Sequence, residues 1–177
     1  MKKEIFLSVV FVIVMSMNIG CEKLDVTKDI DMEVEFVAIS ETAAFYSEDI
    51  FDATESSSVI DDYKDKITKI EVINVTAWLT AFNGPVGQKL LFDTLSVADT
   101  TGNGEIILGT IADQPLEPLL ITPIELTLNQ AGIDYFATLI KDSPHKALIK
   151  NFGTTDSQPV DFTAKFKFTV KMTANPL

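Results

Sequence analysis

"VDFTAKFKFTVKMT", Val160 to Thr173, alternates without a break. Val160, Phe162, Ala164, Phe166, Phe168, Val170 and Met172 are apolar, while Asp161, Thr163, Lys165, Lys167, Thr169, Lys171 and Thr173 are polar or charged. Successive side chains of an extended chain point to opposite sides, so fourteen residues in this phase make a strand with one face in a core and the other in water.

The same period can be followed outward. Ile67 to Phe82 carries Ile73, Val75, Ala77, Leu79 and Ala81 in one phase and Val72, Trp78 and Phe82 in the other, which predicts a central strand covered on both faces. The turn cluster Asn83-Gly84-Pro85-Val86-Gly87 leads to a strand at Lys89 to Ala98, and Asp99-Thr100-Thr101-Gly102-Asn103-Gly104 leads to another at Glu105 to Ile111. Strands joined by such short turns are expected to pair antiparallel. Met32 to Ile39, Leu119 to Pro123 and Ala147 to Phe152 complete the set. Two helices interrupt it: Asn129 caps one that runs to Lys141 and buries Ile133, Phe136, Leu139 and Ile140, and a shorter one runs from Ser57 or Ser58 to Lys64. The expected fold is mainly β, an antiparallel, immunoglobulin-like β-sandwich with one or two short helices.

The 177 residues suffice for one core without disulfides. All 14 basic residues are lysine, against 26 Asp and Glu. Nucleic-acid recognition needs clustered cations and usually arginine forks, so a nucleic-acid partner is excluded on charge and residue type. At the N-terminus, Lys2 and Lys3 precede the apolar stretch Ile5 to Met15, and Gly20 stands just before Cys21, the only cysteine. A charged start, an apolar middle and a small residue at the end form a secretory signal, 1–20, too short and too interrupted for a membrane span.

The stretch Asn18-Ile19-Gly20-Cys21 resembles the lipobox of bacterial lipoproteins, with Asn18 where such boxes usually carry leucine. The resemblance implies cleavage after Gly20 and lipidation of Cys21, whose acyl chains would hold the protein on a membrane at about 0.8 kcal/mol per buried CH₂. The charges after it, Glu22-Lys23-Leu24-Asp25 and the acids up to Glu35, resemble the export signal of Bacteroidetes-type lipoproteins. That implies an outer-membrane protein, lipid-anchored and displayed on the cell surface, with the periplasmic face as the alternative. The domain plan is then a signal over 1–20, an acylated N-terminus and acidic tether over 21–31, and a sandwich over 32–177.

Acid is concentrated early. Glu22 to Asp62 holds 13 acids and two lysines, net −11, whereas the rest of the chain is nearly balanced. A solvated tether with an exposed edge accounts for this better than a cation site built on Glu48, Asp49 and Asp52, which has no loop signature.

Motifs for chemistry are sparse. His145 is the only histidine, so a Cys/His metal site is excluded, and a triad would have to draw on His145 with Ser143, Asp156 or Ser157; a loop histidine beside Pro144 reads better as a surface residue. There is no GxGxxG, Walker loop or GxSxG. Asp99, Thr101, Asn103 and Gly104 have the spacing that opens a calcium loop, but position twelve is Thr110, and a tight hairpin explains the same residues. Asp93-Thr94-Leu95 and Asp99-Thr100-Thr101 resemble short O-glycosylation sites of the same bacterial group, and Asn74-Val75-Thr76 fits the N-glycosylation triplet. Aromatic residues are the remaining binding candidates. Trp78 and Phe82, with Phe92, would form a sugar or peptide platform if exposed, although core packing is the default for most of the 12 Phe.

These observations predict a noncatalytic surface lipoprotein without cofactor or metal. Its partners would be the membrane, through its lipid, and a cell-envelope protein, a glycan or a host molecule. The alternative is a small hydrolase acting on envelope or extracellular polymers, which would require close carboxylates in a pocket or His145 bonded to an acid.

Overall fold

The computed structural model describes residues 25–177. Gly20, Cys21 and the signal read over 1–20 lie outside the described residues.

The alternating stretch forms the last strand, β9 (Val160–Ala174), and its partner is the first, β1 (Val26–Ser40). They pair antiparallel from Val26 opposite Ala174 to Ser40 opposite Val160 without a register shift. The inner row of β1, Ile30, Met32, Val34, Phe36 and Ala38, is buried, as are Phe162 to Met172 in the matching phase of β9. On the outer face, acids of β1 meet lysines of β9: Asp31 lies 3.3 Å from Lys167 and accepts from the Thr169 hydroxyl at 2.7 Å, and Glu33 lies 3.2 Å from Lys165. The strand begins at Val26 and not at Met32. Residues 26–31, read above as tether, belong to the sheet because Ile30 continues the apolar row and Asp31 has partners on β9.

After β1 come β2 (Ala44–Asp52), the short helices α1 (Ala53–Ser56) and α2 (Ser58–Tyr63), β3 (Ile67–Phe82), β4 (Lys89–Ala98), β5 (Ile106–Pro115), β6 (Ile124–Glu125), β7 (Thr127–Leu128), α3 (Gln130–Lys141) and β8 (Lys146–Thr155). They make two sheets in which every pairing is antiparallel, one ordered β1-β9-β3-β6 and the other β2-β8-β4-β5-β7. The antiparallel β-sandwich expected from the sequence is therefore what forms. Its strand order is that of a jelly roll rather than of an immunoglobulin domain, because the chain changes sheets at most connections and only β4–β5 is a hairpin between neighbours.

Three local expectations change with that order. The cluster Asn83 to Gly87 does not make a hairpin: it carries the chain from β3 in one sheet to β4 in the other. The Asn83 backbone N–H donates to the Asp161 carbonyl at 2.8 Å, and the buried Gln88 side-chain Nε2 donates to Ser157 O at 2.7 Å and Pro159 O at 3.1 Å, tying this crossing to the β8–β9 crossing. Strand β3 is not central. Beyond β9 it has only the two residues of β6 beside it, and bulges at Val72/Asn74 and Leu79/Ala81 shift its phase, which is why both phases looked apolar. Leu119 to Pro123 is not a strand: a 3-10 turn at Glu117–Leu120 with Pro118 inside it takes its place.

Aromatic rings fill the space between the sheets. Phe136 and Phe168 stack 4.7 Å apart, Phe51 leans on both, and Phe36–Phe166 and Phe45–Phe162 form edge contacts. Helix α3 starts where the sequence indicates, with Asn129 Oδ1 accepting from the amides of Ala131 and Gly132, and it buries Phe136 and Ile140. Ile133 and Leu139 are only partly covered. Gly132 sits so close to β5 that an added Cβ would lie 2.1 Å from the Ile107 carbonyl oxygen.

Gly132→Ala weighs two effects against each other. Helix propensity favours alanine by about 1 kcal/mol, whereas overpacking against backbone costs about 1–3 kcal/mol and wins. Urea unfolding is expected to show Gly132→Ala less stable than the parent, with an unchanged m-value.

Candidate functional site

The outer face of the five-stranded sheet holds an aromatic depression of about 470 Å³. Tyr46 on β2 stands opposite Phe152 on β8, and Phe92 on β4 stands opposite Thr154. Tyr46 is 58% exposed and Phe92 47%, unusual values for such rings on a sheet face. Strand β8 explains the arrangement: Ala147, Ile149, Asn151 and Gly153 face the core, which turns Lys150, Phe152 and Thr154 outward. Glycine is required at 153, where a Cβ would meet the Phe92 carbonyl at 2.2 Å and the Phe45 ring at 2.7 Å. The bulge between Leu90 and Phe92 in β4 lies alongside.

A polar network borders the rings. Lys150 Nζ is 2.6 Å from Glu105 Oε2, and the buried Ser96 hydroxyl donates to Glu105 Oε1 at 2.8 Å. The Lys150 and Ser96 hydrogen bonds hold the Glu105 carboxyl below its ordinary pKa, and the bond to Glu105 raises that of Lys150. Tyr46 donates its hydroxyl to Glu48, which raises the phenol's pKa. The depression thus offers apolar ring surfaces next to fixed acceptors and one neutralised cation.

Trp78 and Phe82 are not brought together as a platform. Trp78 is half-buried on the four-stranded sheet, opposite Lys165, while Phe82 packs against the core. Phe92 belongs to the other sheet and joins Tyr46 and Phe152 instead. Tyr46, Glu105, Lys150 and Phe152 were missed in the sequence. Phe152 could have been found there, because it breaks the phase of its strand by standing in the row of Lys150 and Thr154.

The other candidates have structural roles. His145 is buried, not a surface residue; its Nδ1 pairs with the Ile140 carbonyl at 3.1 Å and its own carbonyl accepts from Ala53, so it fastens the end of α3 to α1. It has no hydrogen bond to Ser143, Asp156 or Ser157 among the described residues. Asp99 Oδ1 accepts from the Thr101 hydroxyl and the amides of Thr101 and Asn103, with Gly102 and Gly104 at positive φ, making the loop a β4–β5 hairpin turn. Among the described residues no group of three acids or histidines is arranged to hold a metal. Glu48, Asp49 and Asp52 are occupied separately, by Tyr46, by the Ile50 amide and by Lys146. Thr94 is buried within β4, so its hydroxyl is closed to modification, whereas Thr100 is exposed. Asn74 lies partly buried at a bulge of β3, and its Oδ1 has no partner.

No family model and no curated protein matches the chain. Among solved structures it is similar to a chain from turnip yellow mosaic virus, with 13% identity, a TM-score of 0.44, and 89% of this chain and 84% of that one covered. It is also similar to one from tobacco necrosis virus, with 10% identity, a TM-score of 0.36 and 86% and 97% covered. At these scores the likeness says nothing about binding or activity. Among the described residues no helix is long and apolar enough to cross a membrane.

Asp52 shows how the acids of this region contribute. Burial works to raise its pKa, but Lys146 at 2.6 Å, the Thr54 hydroxyl and the amides of Glu55 and Thr54 together bring it down to about 2. A depressed folded-state pKa gives stability that is present above the ordinary value of 3.8 and lost as pH falls through about 2. Asp52→Asn is therefore expected to lower the melting temperature at pH 6 and to lose less of it between pH 4 and pH 2 than the parent, as measured by calorimetry.

Proposed function

We propose that this protein is a noncatalytic lipoprotein, anchored through Cys21 to the outer membrane and displayed at the cell surface, that binds neutral glycan on the outer face of the five-stranded sheet. The observation that carries the reading is the ring set of exposed Tyr46 and Phe92 and half-buried Phe152, bordered by the Lys150–Glu105 pair. Sugar rings present apolar C–H faces that stack on aromatic rings, and hydroxyls that bond to fixed acceptors and donors. Lys150 is already neutralised by Glu105, and Glu48 lies close to Tyr46, so the face favours an uncharged saccharide over a phosphorylated or sialylated one. The hydrolase alternative has less support: His145 is fastened to a backbone carbonyl, and Glu105 to a lysine.

The anchor reading also bears on position. Four residues lie between Cys21 and Val26, and the five steps from one to the other reach at most about 18 Å even if fully extended. The Val26 end of the sandwich would therefore stay close to the bilayer.

Two experiments test these points. Palmitate labelling of cells is expected to mark the full chain and to disappear in Cys21→Ser, with surface protease reaching the domain in intact cells; labelling that persists in the variant rejects the anchor. On a glycan array, Tyr46→Ala and Phe92→Ala are each expected to weaken retention at least tenfold, and Trp78→Ala, on the opposite sheet, to leave it unchanged. Retention lost only with Trp78→Ala would move the site to the other face.

A further inference from the structure

The inner side of the five-stranded sheet holds a buried polar pair. Asp93 on β4 is 5% exposed, Asn151 on β8 is 0% exposed, and Asn151 Nδ2 donates to Asp93 Oδ1 at 2.5 Å. Asn151 Oδ1 is equally buried, and no donor reaches it. The cavity of about 10 Å³ beside the carboxyl is otherwise lined by apolar side chains from every element packed there, among them Leu90 of β4, Ile111 of β5, Leu116 and Leu119 after it, and Leu79 and Phe162 of the facing sheet. Across the ladder on β8 stands Gly153. Among the described residues no cation or second acid faces the group, and the other buried titratable residue, His145, is engaged with α3.

A carboxylate only accepts hydrogen bonds, whereas a protonated carboxyl also donates one. An ionised Asp93 would leave a charge without a counter-ion in an apolar interior and the Asn151 oxygen without a donor, and both are costly there. We propose that Asp93 is held as a neutral acid whose hydroxyl donates to Asn151 Oδ1 while Asn151 Nδ2 donates back, and that ionising this pair loosens the packing of β4 on β8 and destabilises the sandwich. No bond other than the acid's O–H breaks on ionisation, and the proton leaves to solvent.

The electrostatics agree with the geometry. Burial outweighs the hydrogen bonds from Asn151 and the Thr94 amide and raises the Asp93 pKa from 3.8 to about 7. Between those values the folded chain keeps a proton that the unfolded chain has lost. The contribution is therefore complete below about 3.8, falls as pH rises, and is gone above about 7. Asp52, Asp31, Glu71, Asp99 and Glu105, with lowered pKa values, act in the opposite sense at low pH, so the effect is read against a variant that keeps them.

Asp93→Asn places an amide where the neutral acid stood and preserves both hydrogen bonds. In thermal unfolding of the full chain from pH 5 to pH 8, the melting temperature of Asp93→Asn minus that of the parent is expected to increase by several degrees as pH rises. Parallel profiles overturn the proposal. If the variant does not fold, carboxyl-carbon NMR of the parent decides: the Asp93 signal is expected to hold its protonated position up to about pH 6, and ionisation below pH 5 overturns the proposal.

Discussion

Strand β1 is held along its whole length by β9, and the rest of the sandwich depends on that pairing. It joins the first strand to the last, from Val26 opposite Ala174 to Ser40 opposite Val160. With β9 fixed between β1 and β3, one sheet is set; β8, the strand before it, lies in the other sheet between β2 and β4. The two faces of the ladder contribute unequally. Each fully buried side chain such as Phe168 or Val170 gives about 1.5–3 kcal/mol, whereas each exposed pair such as Asp31–Lys167 gives about 0–1 kcal/mol. The apolar row supplies stability and the charged row supplies register, since a slip of one residue would carry Asp31, Glu33 and Glu35 into the core.

This pairing also gives part of the uneven charge a role. Asp31, Glu33 and Glu35 are half of a cross-strand pattern whose lysines, Lys165 and Lys167, lie more than a hundred residues away. Read along the sequence they look like a solvated tether; in the sheet they also blunt the free edge of β1, where uncharged residues would invite a further strand.

What could be read in advance follows from how local the cause is. β9 shows an unbroken period of two, β4 was placed from Lys89 to Ala98 as found, and α3 begins at a cap that lies within three residues of its partners. Strand β2 was not foreseen because Phe45-Tyr46-Ser47-Glu48-Asp49-Ile50-Phe51 has no alternation; only Phe45 and Phe51 are buried, and β8 decides the rest. The crossing at Asn83 to Gly87 reads as a hairpin in sequence because its turn chemistry is ordinary, and what directs it is the Gln88 side chain reaching Ser157 and Pro159. The candidate binding face was hidden for the same reason: Tyr46, Phe92 and Phe152 come from three strands and share no spacing. Asp93 and Asn151 were legible as misfits, each in the apolar phase of its strand, but only their meeting in space gives them a role.

Strand β1 enters the sandwich at the same end at which β9 leaves it, and its fifteen residues run antiparallel to that partner. Force drawn along β1 from Val26 is therefore borne in shear, by all rungs together, rather than by peeling them one at a time. The strand that leads from residues 1–24 into the domain is thus also its mechanical clamp, strongest against a pull along its own axis and weakest against one that lifts its end away from β9.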